Sequence, residues 1–241
     1  MHFPCSVVSC TPLTTSIYKV ILRPINKPQP LAFSAGQHIY LQLLTGESCA
    51  FSIASSPRDT STIELHILND PEQETSRQVF KLLKRTIVNV EPPQGDCFLP
   101  EQLTLEPASP LILIAAGTGF AQMQSILHEV FARGIRNPVY LYRGARKTAN
   151  LYPSELIEDW LNAHDNFHYI PIISEMGEDC HWRGREGLLH DAVCEDFDHF
   201  NGARVFISGS PAMVYATLDV LVAHGINEDQ VQSDTFTYAP R

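Results

Sequence analysis

Two short segments of the chain have the composition of phosphate-binding turns. Gly117-Thr118-Gly119 follows an apolar run and precedes an amphipathic stretch, so its backbone could approach a pyrophosphate at a helix N-terminus. Ser208-Gly209-Ser210-Pro211 has the same setting, and Pro211 suits the first turn of a helix. Each segment is also ordinary turn chemistry, and the third glycine of the dinucleotide fingerprint is missing. Together they predict one nucleotide site built from two turns.

A third segment, Phe51-Ser52-Ile53-Ala54-Ser55, alternates large and small residues. A strand of this kind can lay its backbone along a flat ring while the Ser52 hydroxyl reaches a ring nitrogen. The alternative is an ordinary barrel strand whose small residues only pack. The residues alone leave both interpretations open.

The first hundred residues are expected to form an antiparallel sheet or small barrel. Short segments rich in Ile, Val and Tyr are separated by Pro, Gly and Asn, as in strands joined by turns. The predicted strands are 16–23, 37–43, 51–55, 62–68 and 88–91. One helix is predicted over 76–85, because Val79, Leu82 and Leu83 fall on one face.

After residue 110 the pattern changes to strands alternating with helices. The apolar run 111–115 is typical of a strand covered on both faces, and the helix after it is expected to end at Gly134. Further strands are predicted over 139–142, 168–173 and 204–208, and further helices over 154–163, 187–194 and 212–224. The expected fold is a doubly wound, parallel, five-stranded sheet that begins near residue 105.

Composition excludes several classes of protein. A net charge of -10 opposes nucleic-acid binding. The sequence shows no signal peptide and no apolar run of membrane-spanning length, so we expect no membrane association and a cytoplasmic location. The six cysteines, at positions 5, 10, 49, 97, 180 and 194, are scattered and expected to be reduced. No metal site is expected, because no Cys pair has zinc spacing and His164 and His168 flank a predicted loop.

The order and spacing of the motifs resemble the ferredoxin-NADP reductase superfamily, and within it the bacterial NAD(P)H:flavin reductases of the Fre and LuxG type. The resemblance covers nearly the whole chain. The matching segments are Ala35-Gly36-Gln37, Phe51 to Ser55, Glu64-Leu65-His66-Ile67, Pro93-Gln94-Gly95-Asp96, Gly117 to Phe120, Trp182-Arg183-Gly184, Ser208-Gly209 with Met213, and Ser233-Asp234-Thr235-Phe236.

The resemblance implies a flavin-binding, antiparallel, six-stranded β-barrel over residues 1–104 and an NAD(P)-binding α/β domain over 105–241. Hydride would pass from NADH or NADPH to a flavin, with Ser52 as the catalytic residue near flavin N5. The implied flavin contacts are Phe51, Ser52, Ile53, Ala54, Ser55, His66 and Tyr238. The implied nucleotide contacts are Gly117, Thr118, Gly119, Phe120, Ala121, Arg143, Arg146, Ser208, Gly209 and Met213.

Several residues have more than one interpretation within this resemblance. Arg143 and Arg146 would meet the adenosine end of the nucleotide, but they could equally be solvated surface charges. Arg183 and Arg185 are further candidates, so the choice between NADH and NADPH stays open. Phe236 and Tyr238 could cover the outer face of the flavin or simply pack, and Tyr238 is preferred as the cover.

The main departure from the family pattern is Cys49, which stands where many relatives carry an Arg three residues before the flavin-binding Ser. A flavin phosphate would lose its bidentate partner there, so exchanging FMN or riboflavin is expected rather than FAD. The reduced flavin would serve a monooxygenase, a luciferase or ferric iron. The alternatives are a reductase with tightly bound flavin that passes electrons to a protein partner, and a non-catalytic redox-sensing binding module.

Overall fold

Two six-stranded sheets organise the computed structural model, which describes residues 2–25, 31–103, 105–152, 154–175, 177 and 182–241. One sheet is antiparallel and comes from the first half of the chain, and the other is parallel and comes from the second half. The predicted two-part fold is confirmed. Thr104, at the predicted boundary, and Cys180 lie outside the described residues, and the boundary itself stays a prediction.

The antiparallel sheet closes into a barrel. Its strands run in the order β4-β3-β6-β1-β2-β5, and a bridge between Ile53 and Leu65 joins the residue after β4 to β5. The elements are β1 (Phe3–Pro12), β2 (Ile17–Pro24), β3 (His38–Gln42), β4 (Ser48–Ser52), β5 (Ile63–Leu68), α1 (Glu74–Leu83) and β6 (Ile87–Val90).

The barrel follows from alternation of apolar residues along its strands. In β5, Ile63, Leu65 and Ile67 are buried in the barrel core, and α1 adds Val79, Leu82 and Leu83 as predicted. Each such side chain contributes about 1.5–3 kcal/mol when fully buried. Because successive side chains point to opposite faces, Glu64 and His66 are directed away from the core and toward the second sheet.

Strand β1 was missed by the sequence analysis. Its prolines resemble strand breakers, and a register shift between Val7 and Ser9 interrupts the alternation of side chains.

The parallel sheet has helices on both faces. Its elements are β7 (Leu111–Ala116), α2 (Phe120–Ala132), β8 (Val139–Ala145), α3 (Glu155–Ala163), β9 (Phe167–Ile173), β10 (Arg185–Glu186), α4 (Leu189–Asp196), β11 (Arg204–Ser208), α5 (Pro211–Ala223), β12 (Val231–Gln232) and α6 (Thr235–Tyr238). Helices α2 and α3 share a core with one face of the sheet, and α4 and α5 share a core with the other. As predicted, α2 is followed by Gly134 with a positive φ of 65°.

The strand order β10-β9-β8-β7-β11-β12 corrects the prediction of five strands to six. Strands β10 and β12 have two residues each, which is too short for a hydrophobic pattern to reveal. The order reverses between β7 and β11, so the carboxyl ends of these two strands form the topological switch point where ligands bind in such sheets. No helix among the described residues is long and apolar enough to cross a membrane.

Candidate functional site

The two glycine turns meet at the switch point. Gly117–Gly119 forms a single 3-10 turn after β7, and Gly117 has a φ of 55°. A Cβ added at Gly119 would overlap the Ser208 carbonyl oxygen and lie 3.0 Å from the Gly209 amide nitrogen. Only glycine therefore allows the turn after β7 to pack directly on the turn after β11.

The second turn opens helix α5. Ser210 is the N-cap and its side chain accepts a hydrogen bond from the Met213 amide, while Pro211 occupies the first turn. A side chain at Gly209 would collide with Met213 and lie 3.3 Å from the Ala116 side chain. The N-terminus of α5 is exposed, so its free N–H groups and positive dipole end can meet an anionic group beside Gly117–Gly119.

The first turn also contacts β5 of the barrel, which brings it next to the strand expected to carry the flavin. Ser52 ends β4, is half-buried, and its hydroxyl has no hydrogen-bond partner in the described part of the chain. Ile53 and Ala54 are fully buried, whereas Phe51 is partly exposed. Unlike that of Ser52, the hydroxyl of Ser55 already has a partner, because it accepts a hydrogen bond from the Glu64 amide at 3.2 Å.

An imidazole and a carboxylate also line this part of the barrel. His38 Nδ1 lies 3.5 Å from Asp234 Oδ2, and the Gln122 amide donates to the same oxygen at 2.8 Å. A side chain at Gly95 would lie 2.7 Å from His38 Nδ1, so glycine leaves room for the pair. Sequence reasoning did not single out His38, because its neighbours depend on strand pairing and on the C-terminal segment.

The polar face of α2 joins the two halves of the site. Gln124 donates to the Ala54 carbonyl at 3.2 Å, and the Ser125 hydroxyl donates to the Ser55 carbonyl at 2.9 Å. Gln122 donates to the Gly36 carbonyl at 2.7 Å. The helix that begins at the nucleotide turn thus holds the flavin strand by its backbone. The apolar spacing of α2 was recognised in the sequence, but its buried amides and hydroxyl were not.

Comparison with known proteins agrees with this architecture. Residues 113–219 match the family model for the oxidoreductase NAD-binding domain. Protein RfbI of Salmonella typhimurium is 33% identical over 97% of this chain and 68% of its own length. The NAD(P)H-flavin reductase of Vibrio harveyi is 33% identical over 87% of each chain. The chain belongs to the NAD(P)H-flavin reductase family. Among solved structures, Amycolatopsis cytochrome P450 reductase GcoB aligns with a TM-score of 0.85 and 26% identity, over 96% of this chain and 68% of that one.

The side chain of His66, which the resemblance implied as a flavin contact, is hydrogen-bonded inside this flavin reductase. His66 is 5% exposed, and its two ring nitrogens lie 2.8 Å from the Tyr152 hydroxyl and 2.8 Å from Glu64 Oε1. Burial raises the pKa of Glu64, but hydrogen bonds from His66 and Gln124 outweigh it, and the net pKa is below the usual value. With both nitrogens engaged, His66 joins the two sheets and has no free polar atom for a flavin.

Three predicted nucleotide contacts, Phe120, Ala121 and Arg143, are at most 2% exposed. Their contact with a nucleotide stays a prediction. The side chain of Arg143, in β8, points toward α2, and its guanidinium carbon lies 3.9 Å from the centroid of the Phe120 ring. Arg146, beyond β8, is exposed and stays available.

The C-terminal aromatics have separate environments. Tyr238 in α6 is 61% exposed, and its hydroxyl accepts a hydrogen bond from Thr235 at 3.3 Å. Phe236 packs against Tyr215 of α5 with ring centroids 5.8 Å apart. Tyr238 is thus the aromatic that is free to cover a ligand, and that role stays a prediction.

Cys49 is half-buried beside the barrel core. Burial and the nearby Glu47 carboxylate raise the pKa of its thiol, which keeps the sulfur protonated and unreactive. It supplies neither a cation for a flavin phosphate nor an activated thiolate.

Proposed function

We propose that the protein is an NAD(P)H:flavin oxidoreductase that transfers hydride from NADH or NADPH to FMN or riboflavin. The observation that carries the proposal is the contact between the Gly117–Gly119 turn, at the switch point of the parallel sheet, and β5 of the barrel. The neighbour of β5 at this place is β4, which ends at the free Ser52 hydroxyl. Membership of the flavin reductase family supports the same activity.

The residues at the site suit both ligands. The open space at the exposed Gly117, the exposed N-terminus of α5 and the half-buried Met213 can accommodate a nucleotide with its pyrophosphate on backbone N–H groups. When both are bound, the nicotinamide is the hydride donor and the flavin is the hydride acceptor, so the ligands supply the redox chemistry themselves. The protein needs only to stack the two rings at about 3–3.5 Å and exclude water. Ser52 would orient the flavin edge by hydrogen bonding, and the partly exposed segment Phe51-Ser52, backed by the buried Ile53 and Ala54, would support one ring face.

The flavin is proposed to be an exchanging substrate. Cys49 offers no charge to a phosphate, so FMN and riboflavin should be used with similar efficiency and FAD should not be retained. The reduced flavin would then diffuse to a monooxygenase, a luciferase or ferric iron. For the nucleotide, Arg146 is the proposed contact at the adenosine end, since it is exposed just beyond the carboxyl end of β8.

The second candidate function is a reductase that keeps its flavin and passes electrons to a protein. The structural similarity to GcoB, a cytochrome P450 reductase, is the observation behind this candidate. Gel filtration of the protein mixed with excess flavin separates the two candidates. The proposed enzyme emerges colourless, whereas a yellow protein with stoichiometric flavin supports the second candidate.

Turnover decides whether there is an enzyme at all. Steady-state oxidation of NADH and of NADPH should be compared with FMN, riboflavin and FAD as acceptors. Rapid turnover with FMN and riboflavin is expected. Rates equal to those without enzyme would contradict the proposal and leave a nucleotide-binding module.

A further inference from the structure

Arg143 is a buried cation for which the proposed hydride transfer has no direct use. Its side chain is 2% exposed, and its guanidinium carbon lies 3.9 Å from the centroid of the Phe120 ring and 4.2 Å from that of Tyr152. Among the described residues, no carboxylate forms an ion pair with it, and its Nη2 has no hydrogen-bond acceptor. Because arginine stays protonated in proteins, a permanent charge is held against two aromatic rings.

The two rings belong to different parts of the nucleotide-binding half. Phe120 begins α2, directly after the Gly117–Gly119 turn, whereas Tyr152 lies between β8 and α3. The two rings contact each other edge to face, with centroids 5.8 Å apart, and Arg143 packs against both of them from one side. Burial raises the pKa of the Tyr152 hydroxyl, and the charge of Arg143 opposes that rise. Arg143 thus packs directly on Phe120, the residue that follows the glycine turn, and adds to the ring contacts that Phe120 makes with Tyr152 and His66.

Tyr152 carries the connection into the barrel. Its hydroxyl lies 2.8 Å from Nδ1 of His66 in β5, and Nε2 of His66 lies 2.8 Å from the Glu64 carboxylate. The Glu64 carbonyl accepts from the Ala54 amide at 2.8 Å, and its carboxylate accepts from Gln124 at 3.1 Å. An unbroken series of contacts therefore runs from Phe120 through Arg143, Tyr152, His66 and Glu64 to the flavin strand.

The series has a positive charge at one end and a negative charge at the other. Arg143 and Glu64 are separated by a tyrosine and a histidine in a buried region, where electrostatic attraction is screened less than in water. A neutral or misplaced group at position 143 would remove this attraction and the packing between the rings together. The consequence would be a less fixed distance between the glycine turn and the flavin strand.

We propose that Arg143 is a positioning residue that sets the separation of the nicotinamide and flavin sites. The inference rests on the proposed hydride transfer, and in it Arg143 acts through Phe120 and Tyr152 and touches neither ligand itself. A displacement of about 1 Å at a reacting pair can cost about 100-fold in rate. Since the ligand contacts remain, the loss should fall on the hydride-transfer step and leave ligand affinity nearly unchanged.

Stopped-flow measurement of flavin reduction tests the proposal at saturating nucleotide and flavin. Arg143→Leu should slow the step by about 10- to 100-fold, with dissociation constants within about twofold. The deuterium isotope effect of C4-labelled nucleotide on kcat should rise as hydride transfer becomes limiting. Arg143→Lys keeps the charge without the planar face and should give an intermediate rate. Arg136→Leu, an exposed arginine in the same half, is the matched control and should behave like the parent.

Tyr152→Phe keeps the ring over Arg143 and removes only the hydroxyl that reaches His66. It should slow the same step by several-fold, and it remains informative if Arg143→Leu does not fold. A folded Arg143→Leu variant with the parental rate and isotope effect would overturn the proposal. So would a rate loss matched by an equal loss of nucleotide affinity.

Hydrogen exchange separates failure of this inference from failure of the proposed function, since it needs neither ligand nor turnover. In Arg143→Leu, amides of β5 and of the first turns of α2 should exchange at least about fivefold faster, while β1 and β2 stay at parental rates. Parental exchange in β5 and α2 would overturn the inference. Absence of turnover in the parent protein would instead contradict the proposed function, and the exchange result would still show whether Arg143 fixes the junction.

Discussion

His38 lies directly opposite Ser52 in the ladder between β3 and β4, so both side chains leave the sheet on the same face. His38 is in turn beside Asp234, which Gln122 of α2 holds by a hydrogen bond. Ser52 is therefore paired across the ladder with a histidine that contacts the C-terminal segment, which α2 holds in turn. Backbone pairing fixes the face on which the Ser52 side chain lies, and its hydroxyl stays free to bond a ligand.

Ser52→Ala should lower turnover more than it lowers nucleotide affinity. The variant loses one hydrogen bond that would align the flavin edge, a loss of about 1 kcal/mol or more, so kcat should fall by about fivefold or more. Steady-state kinetics with FMN together with the dissociation constant of the nucleotide provide the check. Ser48→Ala, at the exposed start of the same strand, is the control. Unchanged turnover in Ser52→Ala would remove Ser52 from the site.

Gly119→Ala should weaken nucleotide binding while the barrel remains folded. The added methyl group would overlap the Ser208 carbonyl, so the two turns must separate and the phosphate site between them is distorted. The KM for NADH or NADPH should rise about tenfold or more, with a smaller change in the KM for flavin. Gly177→Ala is a suitable control because a Cβ there meets no atom within 4 Å. Parental nucleotide kinetics in Gly119→Ala would contradict the two-turn site.

Glu64 should make the stability of the protein dependent on acidic pH. Its pKa is lowered in the folded state, so its contribution is present above the unfolded value near 4.5 and is lost as the pH falls through the folded value. Urea unfolding between mildly acidic and strongly acidic pH should show a smaller loss of unfolding free energy in Glu64→Gln than in the parent. Glu72→Gln, which changes an exposed carboxylate, is the control. An identical pH profile for Glu64→Gln and the parent would show that this carboxylate is not linked to folding.

Cys49→Arg should make the enzyme prefer FMN over riboflavin. The new guanidinium would stand where many relatives carry one and could pair with the FMN phosphate, which riboflavin lacks. The ratio of KM for riboflavin to KM for FMN should rise about fivefold or more, since a hydrogen bond to a charged group contributes about 1.5–3 kcal/mol. Cys49→Ser removes the thiol without adding charge and should leave the ratio unchanged. An unchanged ratio in a folded Cys49→Arg variant would place the phosphate elsewhere.

Regular elements were predictable because their patterns are long. Strand β11 was predicted with its observed bounds, and α5 differs from its prediction by one residue at each end. The two-residue strands β10 and β12 were not predictable, since they depend on neighbours already in place. The two glycine turns were recognised because glycine and proline determine the backbone conformation of the residues next to them. The contact between the turns could not be predicted, because it depends on β7 and β11 being neighbours in the sheet, which no local pattern shows.

The surroundings of Arg143 could be predicted only in part. It was predicted to contact the nucleotide because the strand was predicted to end at Tyr142, so that Arg143 followed it. Strand β8 continues to Ala145, which puts Arg143 on the same face as the buried Leu141, toward α2. His66 could not have been placed without Tyr152, because the two residues are distant in sequence and meet only across the junction.

The bridge between Ile53 and Leu65 has a consequence for solubility. By closing the barrel it leaves that sheet without a long row of unpaired N–H and C=O groups. Two copies of the chain thus find little exposed edge on the barrel on which to extend one another's sheets. The barrel therefore has a low tendency to form intermolecular β-structure from its native state.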